Sequence, residues 1–232
     1  MSLLSVAKGA AAYLGIDVPD VVTSSTEREH VELFEFIAEA AEFIRDQRDW
    51  QALQVRATIT SGDGATEAFD FPADFLRLPK AAQVWSTRLY APLAEVDSTD
   101  RWNEIVTREY DYVSGVWIRF GDQIHIKPAP TATETVSYFY ISGNIWRASA
   151  GGSARAQPDA DSDEFRLNER VLKLGAIWRW KMSKELPWEA DFNAFQDALA
   201  RSIIDDKTSR QIVVGRRGRV RGARVAYPRN LS

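Results

Sequence analysis

Residues 69–78 read FDFPADFLRL and combine three phenylalanines, a proline and two aspartates. Phe69 and Phe71 alternate with polar neighbours, which is typical of a half-buried strand. Pro72 ends that strand, because proline lacks a backbone N–H and fixes its own φ angle. We predict that Asp74 accepts hydrogen bonds from nearby amides and holds a turn. The stretch is therefore interpreted as a corner of the scaffold, where the chain changes direction, and not as a site of chemistry.

Short strand patterns surround this corner on both sides. Upstream, apolar residues alternate over 53–59, SGDG (61–64) is a turn signal, and 67–71 alternates again, which predicts a β-hairpin. Downstream, residues 97–106 predict one helical turn, and the Gly121-Asp122 pair predicts a second hairpin. The further predicted strands are 82–85, 88–93, 112–120, 123–127 and 135–142. Together these patterns predict a β module.

Helical patterns dominate the N-terminal part of the chain. Residues 3–14 predict a short helix that ends at Gly15. Thr26 and Glu29 have the spacing of a capping box, so a second helix is expected from about Glu27 to about Trp50. Its apolar stripe consists of Leu33, Ile37, Ala40 and Ile44.

Two further helices are predicted after an acidic, glycine-containing segment. The first has its apolar stripe at Leu167, Val171, Leu174, Trp178 and Met182. Pro187 suits the first turn of the second helix. The stripe of this second helix consists of Trp188, Phe192, Phe195, Leu199 and Ile203. Trp180, which lies between Arg179 and Lys181, is a candidate interface residue, although packing between helices is the favoured interpretation.

These patterns predict an α+β fold. A helical bundle is built from both ends of the chain, with an inserted antiparallel β module and an extended basic C-terminal arm. The predicted boundaries are 1–51 for the N-terminal helices, 52–147 for the β module, 148–163 for a linker, 164–209 for the C-terminal helices and 210–232 for the arm.

Composition excludes several classes of protein. The chain of 232 residues contains no cysteine, so disulfides, thiol catalysis and zinc–thiolate sites are excluded. It is 45% hydrophobic, which is enough for a packed core. No apolar run approaches the ~18 residues that span a bilayer, so no membrane partner is expected. The N-terminus is interpreted as mature sequence, because Lys8 interrupts its apolar residues.

The sequence contains no convincing catalytic or metal-binding motif. Asp159, Asp161 and Asp163 match the first positions of a calcium loop, but Glu164 replaces its glycine and Arg170 replaces its final glutamate. His30 and His125 form no metal-binding pair, and His125 alternates with isoleucines, so it is expected to face solvent or a partner. We therefore expect a protein that is not an enzyme, with no catalytic residue, no metal ligand and no cofactor.

The formal charge is distributed unevenly along the chain. Residues 210–232 contain seven arginines and no acid, so they carry a formal charge of +7. Since the whole chain carries −4, the first 209 residues carry −11. Three interpretations of this tail are open: a solvated tail, a nucleic-acid-binding tail, and an arm that docks on a partner protein. Docking is favoured, because valines, a tyrosine and a leucine lie between the arginines and can anchor the arm on a protein surface.

In their order and spacing, several stretches resemble the head-to-tail adaptor proteins of tailed bacteriophages and gene transfer agents. The resemblance spans nearly the whole chain. The stretches are LLSVAKGAAAYLGIDVPDVVTSSTE (3–27), RDWQAL (48–53), FDFPADFLRL (69–78), Trp102, GDQIHIKPAP (121–130), VSYFYIS (136–142) and LKLGAIWRWKMSKELPWEADFNAFQDALA (172–200). The chain departs from the family pattern at Glu185-Leu186, where a glycine is usual, and at Phe195, near which a tyrosine is favoured.

The resemblance implies a structural protein of the virion neck. Such adaptors form a ring, usually of twelve copies, beneath the portal protein. They extend the channel through which genomic DNA passes without sequence-specific binding, and they provide the docking surface for stopper or tail proteins. Such a protein is made in the cytoplasm of the bacterial host. The portal-binding arm would comprise Arg216, Arg217, Arg219, Val220, Arg221, Arg224, Val225, Tyr227, Arg229 and Leu231.

Two alternative functions remain open from the residues alone. One is another neck or tail-completion protein of the virion. The other is a nucleic-acid-binding protein that acts through the arginine-rich tail.

Overall fold

The computed structural model describes residues 2–88, 90–108 and 115–206. Five α-helices lie in these residues: α1 (Leu3–Leu14), α2 (Arg28–Asp46), α3 (Thr99–Thr107), α4 (Glu169–Ser183) and α5 (Glu189–Asp206). The strands are β1 (Gln54–Ile59), β2 (Ala68–Asp70), β3 (Phe75–Arg77), β4 (Trp85–Ser86), β5 (Ala91–Pro92), β6 (Ala94–Glu95), β7 (Val116–Phe120), β8 (Gln123–Lys127), β9 (Val136–Ser142), β10 (Trp146–Arg147), β11 (Ala154–Arg155) and β12 (Glu164–Phe165). The predicted α+β class is confirmed.

Helix α1 has the boundaries that the sequence predicts. The Ser2 side chain accepts a hydrogen bond from the Ser5 amide at the start of the helix. Gly15 has φ 71° and ends the helix in the left-handed region, which glycine adopts without steric cost.

Helix α2 buries the predicted stripe but differs at both ends. Leu33, Ile37, Ala40 and Ile44 are all fully buried. The helix begins at Arg28 and no side chain caps it, so the predicted Thr26–Glu29 capping box is wrong. It ends at Asp46 and not near Trp50, whose indole N–H folds back and donates to the carbonyl of Ile44 over 2.8 Å. The Ile44 carbonyl also accepts from the Gln47 amide over 3.3 Å, so the indole adds a second hydrogen bond at the helix end.

Helix α4 lies at the centre of the bundle and contacts α1, α2 and α5. A helix with neighbours on three sides buries more than one stripe. Val171 of the predicted stripe is buried, but Met182 is 47% exposed, so that end of the predicted stripe is wrong. Trp180 is only 4% exposed and meets the ring of Phe36 edge-on at 6.0 Å, which confirms packing between helices.

Helix α5 closes the bundle against α2 and α4. It begins at Glu189, so Pro187 precedes the helix and does not lie in its first turn. Phe195 and Leu199 of the predicted stripe are buried. Gly175 of α4 permits the close approach, because a Cβ atom there would lie 3.0 Å from Ala40 Cβ and 3.3 Å from the Phe195 ring.

The strands form two larger sheets, and the first predicted hairpin does not exist. β1 pairs with β9 in a five-stranded sheet ordered β1-β9-β4-β5, in which β3 also pairs with β9. β2 pairs with β8 in a four-stranded sheet ordered β2-β8-β7-β6. The SGDG stretch is instead a crossing between the sheets, because β1 and β2 belong to different sheets. Within it, the Gly64 amide donates to the Pro130 carbonyl over 2.8 Å.

The second predicted hairpin, β7–β8, is confirmed. Gly121 and Asp122 have φ angles of 57° and 59°, which the two central residues of a type I′ turn require. Beside this hairpin, β6 pairs with β7 in parallel, which is the one parallel pair among the described strands. Helix α3 has nine residues and is longer than the single turn predicted.

The acidic segment after β9 is packed against the N-terminal helices. β10 pairs with both β11 and β12 in a small antiparallel sheet. The Leu3 amide donates to the Asp163 carbonyl over 2.7 Å. The expected linker therefore has secondary structure and contacts α1.

Candidate functional site

The FDFPADFLRL corner carries the chain from the four-stranded sheet to the five-stranded sheet. β2 precedes Pro72 and β3 follows Asp74. The rings of Phe71 and Phe75 stack at 3.9 Å across the corner, and the Arg119 guanidinium lies 4.9 Å from the centre of the Phe75 ring. The interpretation as a scaffold corner is confirmed.

Asp74 holds this corner through long-range contacts and not through nearby amides, so the prediction for its side chain is wrong. Its carboxylate accepts hydrogen bonds from the Tyr140 hydroxyl at 2.7 Å and from Ser142 Oγ at 2.6 Å. Burial, and then the hydrogen bond to Asp74, raise the pKa of Tyr140 above its usual value. The corner is therefore attached to β9.

The ten predicted arm residues, Arg216 to Leu231, lie outside the described residues. The structure describes the chain up to Asp206, where α5 ends. There the Gln51 amide donates to both carboxylate oxygens of Asp206, at 3.1 and 3.2 Å. Arg48 Nη1 donates to the Ile203 carbonyl over 2.5 Å. The last described residues of α5 are thus held against the residues that follow α2.

The same residues also receive the scaffold corner. Arg77 Nε donates to Asp49 Oδ1 over 2.9 Å, and the Lys80 amide donates to Asp49 Oδ2 over 2.9 Å. Arg77 Nη2 donates to the Arg48 carbonyl over 2.8 Å. We call residues 48–53, the RDWQAL stretch, the junction, because the end of α2, the end of α5 and the β3 region all meet there.

An exposed aromatic groove lies on the outer face of the five-stranded sheet. This sheet groove has a volume of about 530 Å³ and is lined by Arg56, Trp85, Tyr90 and Phe139, with small polar residues between them. Tyr90 is 68% exposed and Phe139 is 52% exposed. Arg56 is the cross-strand neighbour of Phe139 and donates to Ser137 Oγ over 3.3 Å. Contiguous exposed aromatic surface of this kind usually marks an interaction site.

A second groove of about 550 Å³ lies along α2 and has the opposite charge. This helix groove is lined by Glu35, Glu39 and Glu42, by the half-buried Phe34 and Phe36, and by Gln157 from the acidic segment. Gln157 Nε2 donates to Glu42 Oε1 over 2.9 Å. Glu39 has a side chain that is 66% exposed and pairs at 3.5 Å with the buried Arg179.

A buried carboxylate joins three helices of the bundle. Asp191 of α5 accepts hydrogen bonds from the Tyr13 hydroxyl at 2.7 Å and from Lys181 Nζ at 2.6 Å. Burial alone would raise the pKa of Asp191, but the hydrogen bonds from Lys181 and Tyr13 outweigh it and lower that pKa. The arrangement is a structural link between α1, α4 and α5.

Two of the three aspartates that resemble a calcium loop accept hydrogen bonds from backbone amides, and the third, Asp159, pairs with Arg155 at 2.9 Å. Asp161 accepts from the amides of Val22 and Thr23 at 3.0 and 2.8 Å. The buried Asp163 accepts from the Asp159 amide at 2.8 Å. No group of three metal-ligating side chains is present in the part of the chain that the structure describes.

Both histidines have structural roles. His30 is buried, with Nδ1 3.1 Å from Ser25 Oγ and Nε2 3.1 Å from the Asp17 carbonyl. His125 is half-buried and stacks on the ring of Phe120 at 3.8 Å, so the expectation that it faces solvent or a partner is wrong. Burial lowers the pKa of His125.

Sequence reasoning missed the sheet groove, although one signal was available. Within β9, Tyr138 and Tyr140 point into the core and Phe139 points outward. A large apolar residue at the outward position of an alternating strand is unusual on a solvated face.

Among the described helices, none is both long and apolar enough to cross a bilayer.

Comparison with known proteins gives one family. No curated protein matches the chain. Residues 1–223 match the family described as SU10 adaptor protein, a span that includes all the described helices and strands and the junction. The chain therefore belongs to the SU10 adaptor protein family, and it has the structural role of a phage head–tail adaptor.

Proposed function

We propose that this protein forms a ring of twelve copies, as the resemblance to head-to-tail adaptors implies, beneath the portal of a tailed phage. The ring extends the DNA channel and offers its lower face to a stopper or tail protein. Residues 216–231 form the arm that binds the portal. The protein then lies in the virion neck, after synthesis in the cytoplasm of the bacterial host.

The junction is the observation that carries this proposal. It fixes the end of α5 through Gln51, Arg48 and Asp206, so the arm continues from a rigid point of the bundle. An arm that starts at a fixed point loses less entropy on docking than one that starts from a loose helix end. The arginines supply charge and the interleaved valines, Tyr227 and Leu231 supply apolar anchors for a protein surface.

The charge of the body also suits a DNA channel. The first 209 residues carry a formal charge of −11. Basic channel walls would bind phosphates with release of counterions and would retain the DNA, whereas an acidic wall repels it. We therefore infer that the channel surface of the ring is acidic. A ring structure with a strongly basic channel would contradict this part of the proposal.

Native mass spectrometry of the chain mixed with its cognate portal ring tests the proposal. We expect about one adaptor copy per portal subunit to bind the intact ring. A truncation after Gln211 should abolish this binding, because it removes all ten proposed arm residues. A full-length chain that ignores the portal would contradict the portal-binding function.

Two matched arm variants separate charge from anchoring. In one, Val220, Val225, Tyr227 and Leu231 are changed to serine and all arginines are kept. In the other, the arginines at 216, 217 and 219 are changed to lysine. We expect the serine variant to lose portal binding and the lysine variant to retain most of it, since lysine keeps the charge. Retained binding in the serine variant would favour a purely electrostatic arm, whereas loss of binding in the lysine variant would show that the planar guanidinium groups themselves are needed.

The arginine-rich tail keeps nucleic-acid binding as a second candidate function. Binding of duplex DNA by the full-length chain, titrated against salt, measures it directly. Tight DNA binding at physiological salt without portal binding would favour this candidate. Binding to tail proteins without the portal would favour another neck or tail-completion role.

A further inference from the structure

The two grooves of this chain have lining residues of opposite charge. Arg56 is the only charged residue that lines the sheet groove, in the part of the chain that the structure describes. The helix groove is lined by three glutamates and no cation, within the same described residues. Both contain aromatic surface, and their volumes are similar, at about 530 and 550 Å³. No residue lines both grooves.

We propose that neighbouring copies bind head to tail, with the sheet groove of one copy receiving the acidic face of α2 from the next. Arg56 then lies against Glu35, Glu39 and Glu42, while Phe139 and Tyr90 pack on Phe34 and Phe36. The inference rests on the proposed ring and identifies the surfaces that close it.

Charge disfavours a two-fold contact centred on either groove. The residues nearest the axis of such a contact meet their own copies, so it would bring Arg56 close to Arg56, or the three glutamates close to the same three glutamates. Like charges placed opposite each other in a desolvated contact are unfavourable. A contact between unlike patches avoids this repulsion, and such heterologous contacts generate rings when the rotation closes.

The exposure of the aromatic residues supports the same arrangement. Tyr90 and Phe139 keep more than half of their surface in water in the single copy, at 68% and 52%. Buried aromatic residues and arginine are the usual anchors at the centre of protein interfaces. The register of β1 and β9 places Arg56 beside Phe139, and its hydrogen bond to Ser137 restricts the side chain in part before binding.

Charge reversal in the portal-bound assembly tests the contact. Arg56→Glu is expected to lower ring assembly on the portal by about tenfold, because it places a carboxylate against the glutamates of the neighbour. Adding Glu35→Arg in the same chain should restore part of the assembly, since residues 56 and 35 of neighbouring copies again have opposite charges. Glu35 is suited to this swap because it is exposed. Glu29→Arg, on the same helix outside the groove, is the matched control and should leave assembly unchanged.

Site-specific cross-linking is a second, independent test of the head-to-tail contact. The chain has no cysteine, so Arg56→Cys and Glu35→Cys introduce unique thiols. A short bis-maleimide should join a chain with Arg56→Cys to a chain with Glu35→Cys, but neither variant to itself. The double variant should give a ladder of cross-linked oligomers. Circular dichroism checks that every variant is folded.

The outcomes separate this inference from the proposed function. If rings assemble on the portal but neither charge reversal nor the cross-link has an effect, the head-to-tail contact is overturned and the portal function stands. Cross-linking of Glu35→Cys to Val225→Cys instead would assign the helix groove to the arm, which also overturns the contact. If the wild-type chain never binds the portal, the proposed function fails, and the ring contact fails with it.

Discussion

Asp74 shows how a single residue can join distant parts of the chain. It lies in the FDFPADFLRL corner, yet its carboxylate accepts hydrogen bonds from Tyr140 and Ser142 of β9. Its backbone carbonyl also accepts from the Gly143 amide over 2.7 Å. The corner is therefore stabilised by a strand that follows more than sixty residues later.

Replacement of Asp74 by alanine is expected to lower the free energy of unfolding by about 2–3 kcal/mol. The change leaves the Tyr140 and Ser142 hydroxyls without their acceptor in a largely buried site. Asp74→Asn should cost less, because the amide oxygen still accepts one hydrogen bond. Urea denaturation measures both values. Wild-type stability in the alanine variant, with loss of ring assembly, would show that the corner is an interface and not a scaffold element.

Asp191 should make the stability of the bundle depend on acid pH. Because its pKa is lowered in the folded state, its contribution is present above the unfolded value of 3.8 and is lost as the pH falls through the folded value. Asp191→Asn should lower the free energy of unfolding by roughly 1–2 kcal/mol at pH 7. That difference should shrink below about pH 4.

Thermal unfolding of wild type and Asp191→Asn between pH 3 and pH 7 tests this expectation. The control is Asp205→Asn, which removes an exposed carboxylate from the same helix and should give no difference dependent on pH. A difference in melting temperature between Asp191→Asn and wild type that stays constant from pH 3 to pH 7 would contradict the assigned role of Lys181 and Tyr13.

At the scale of elements, two corners direct the chain between the sheets. The FDFPADFLRL corner connects β2 to β3, and the SGDG crossing connects β1 to β2. In the SGDG crossing, Asp63 accepts hydrogen bonds from the Ala65 and Thr66 amides at 2.8 and 2.6 Å. These hydrogen bonds lower the pKa of Asp63 to about 2. Turn residues that usually indicate a hairpin here form a compact link between different sheets.

Gly62 should tolerate no side chain in this crossing. A Cβ atom at residue 62 would lie 2.4 Å from the Pro130 carbonyl oxygen, which is backbone and cannot move away cheaply. Gly62→Ala is therefore expected to lower the free energy of unfolding by about 1–3 kcal/mol. Gly143→Ala is the matched control, since its Cβ would have its nearest contact at 3.6 Å and should be nearly neutral. Equal stability of the two variants, measured by urea denaturation, would contradict the close approach.

At the scale of the whole molecule, the formal charge is distributed unevenly between two parts of the chain. The arm carries seven arginines, and the body carries the acids. The division at 51, 147, 163 and 209 remains a prediction, although helices from both ends of the chain do share one apolar cluster with Ile141, Ile145 and Trp146. That shared cluster couples the bundle to the end of β9.

Removal of residues 212–232 is expected to change binding without changing stability. The truncation removes six arginines and shifts the formal charge from −4 to −10. Any affinity of the full-length chain for duplex DNA should then disappear, because an acidic body repels phosphates. The melting temperature should change little, since the described core is made by residues before 207. Fluorescence anisotropy with duplex DNA and a thermal melt measure the two effects; equal DNA binding by the truncated chain would contradict this assignment.

The sequence by itself determined the features that depend on neighbouring residues. These are the α1 boundary at Gly15, the buried stripe of α2, the Gly121-Asp122 hairpin, the charge asymmetry and the family resemblance. Helix periodicity, glycine at positive φ and turn chemistry act over a few residues, so they can be read directly from the sequence.

Only the tertiary structure decided which distant segments meet. It paired β1 with β9 and not with β2, gave Asp74 its partners on β9, and buried several faces of α4. It also placed Phe139 beside Arg56 in the sheet groove. The physical reason is that strand pairing and helix burial depend on the free energy of removing surfaces of remote segments from water together. Local periodicity shows that a face is apolar, but it does not show which other face covers it.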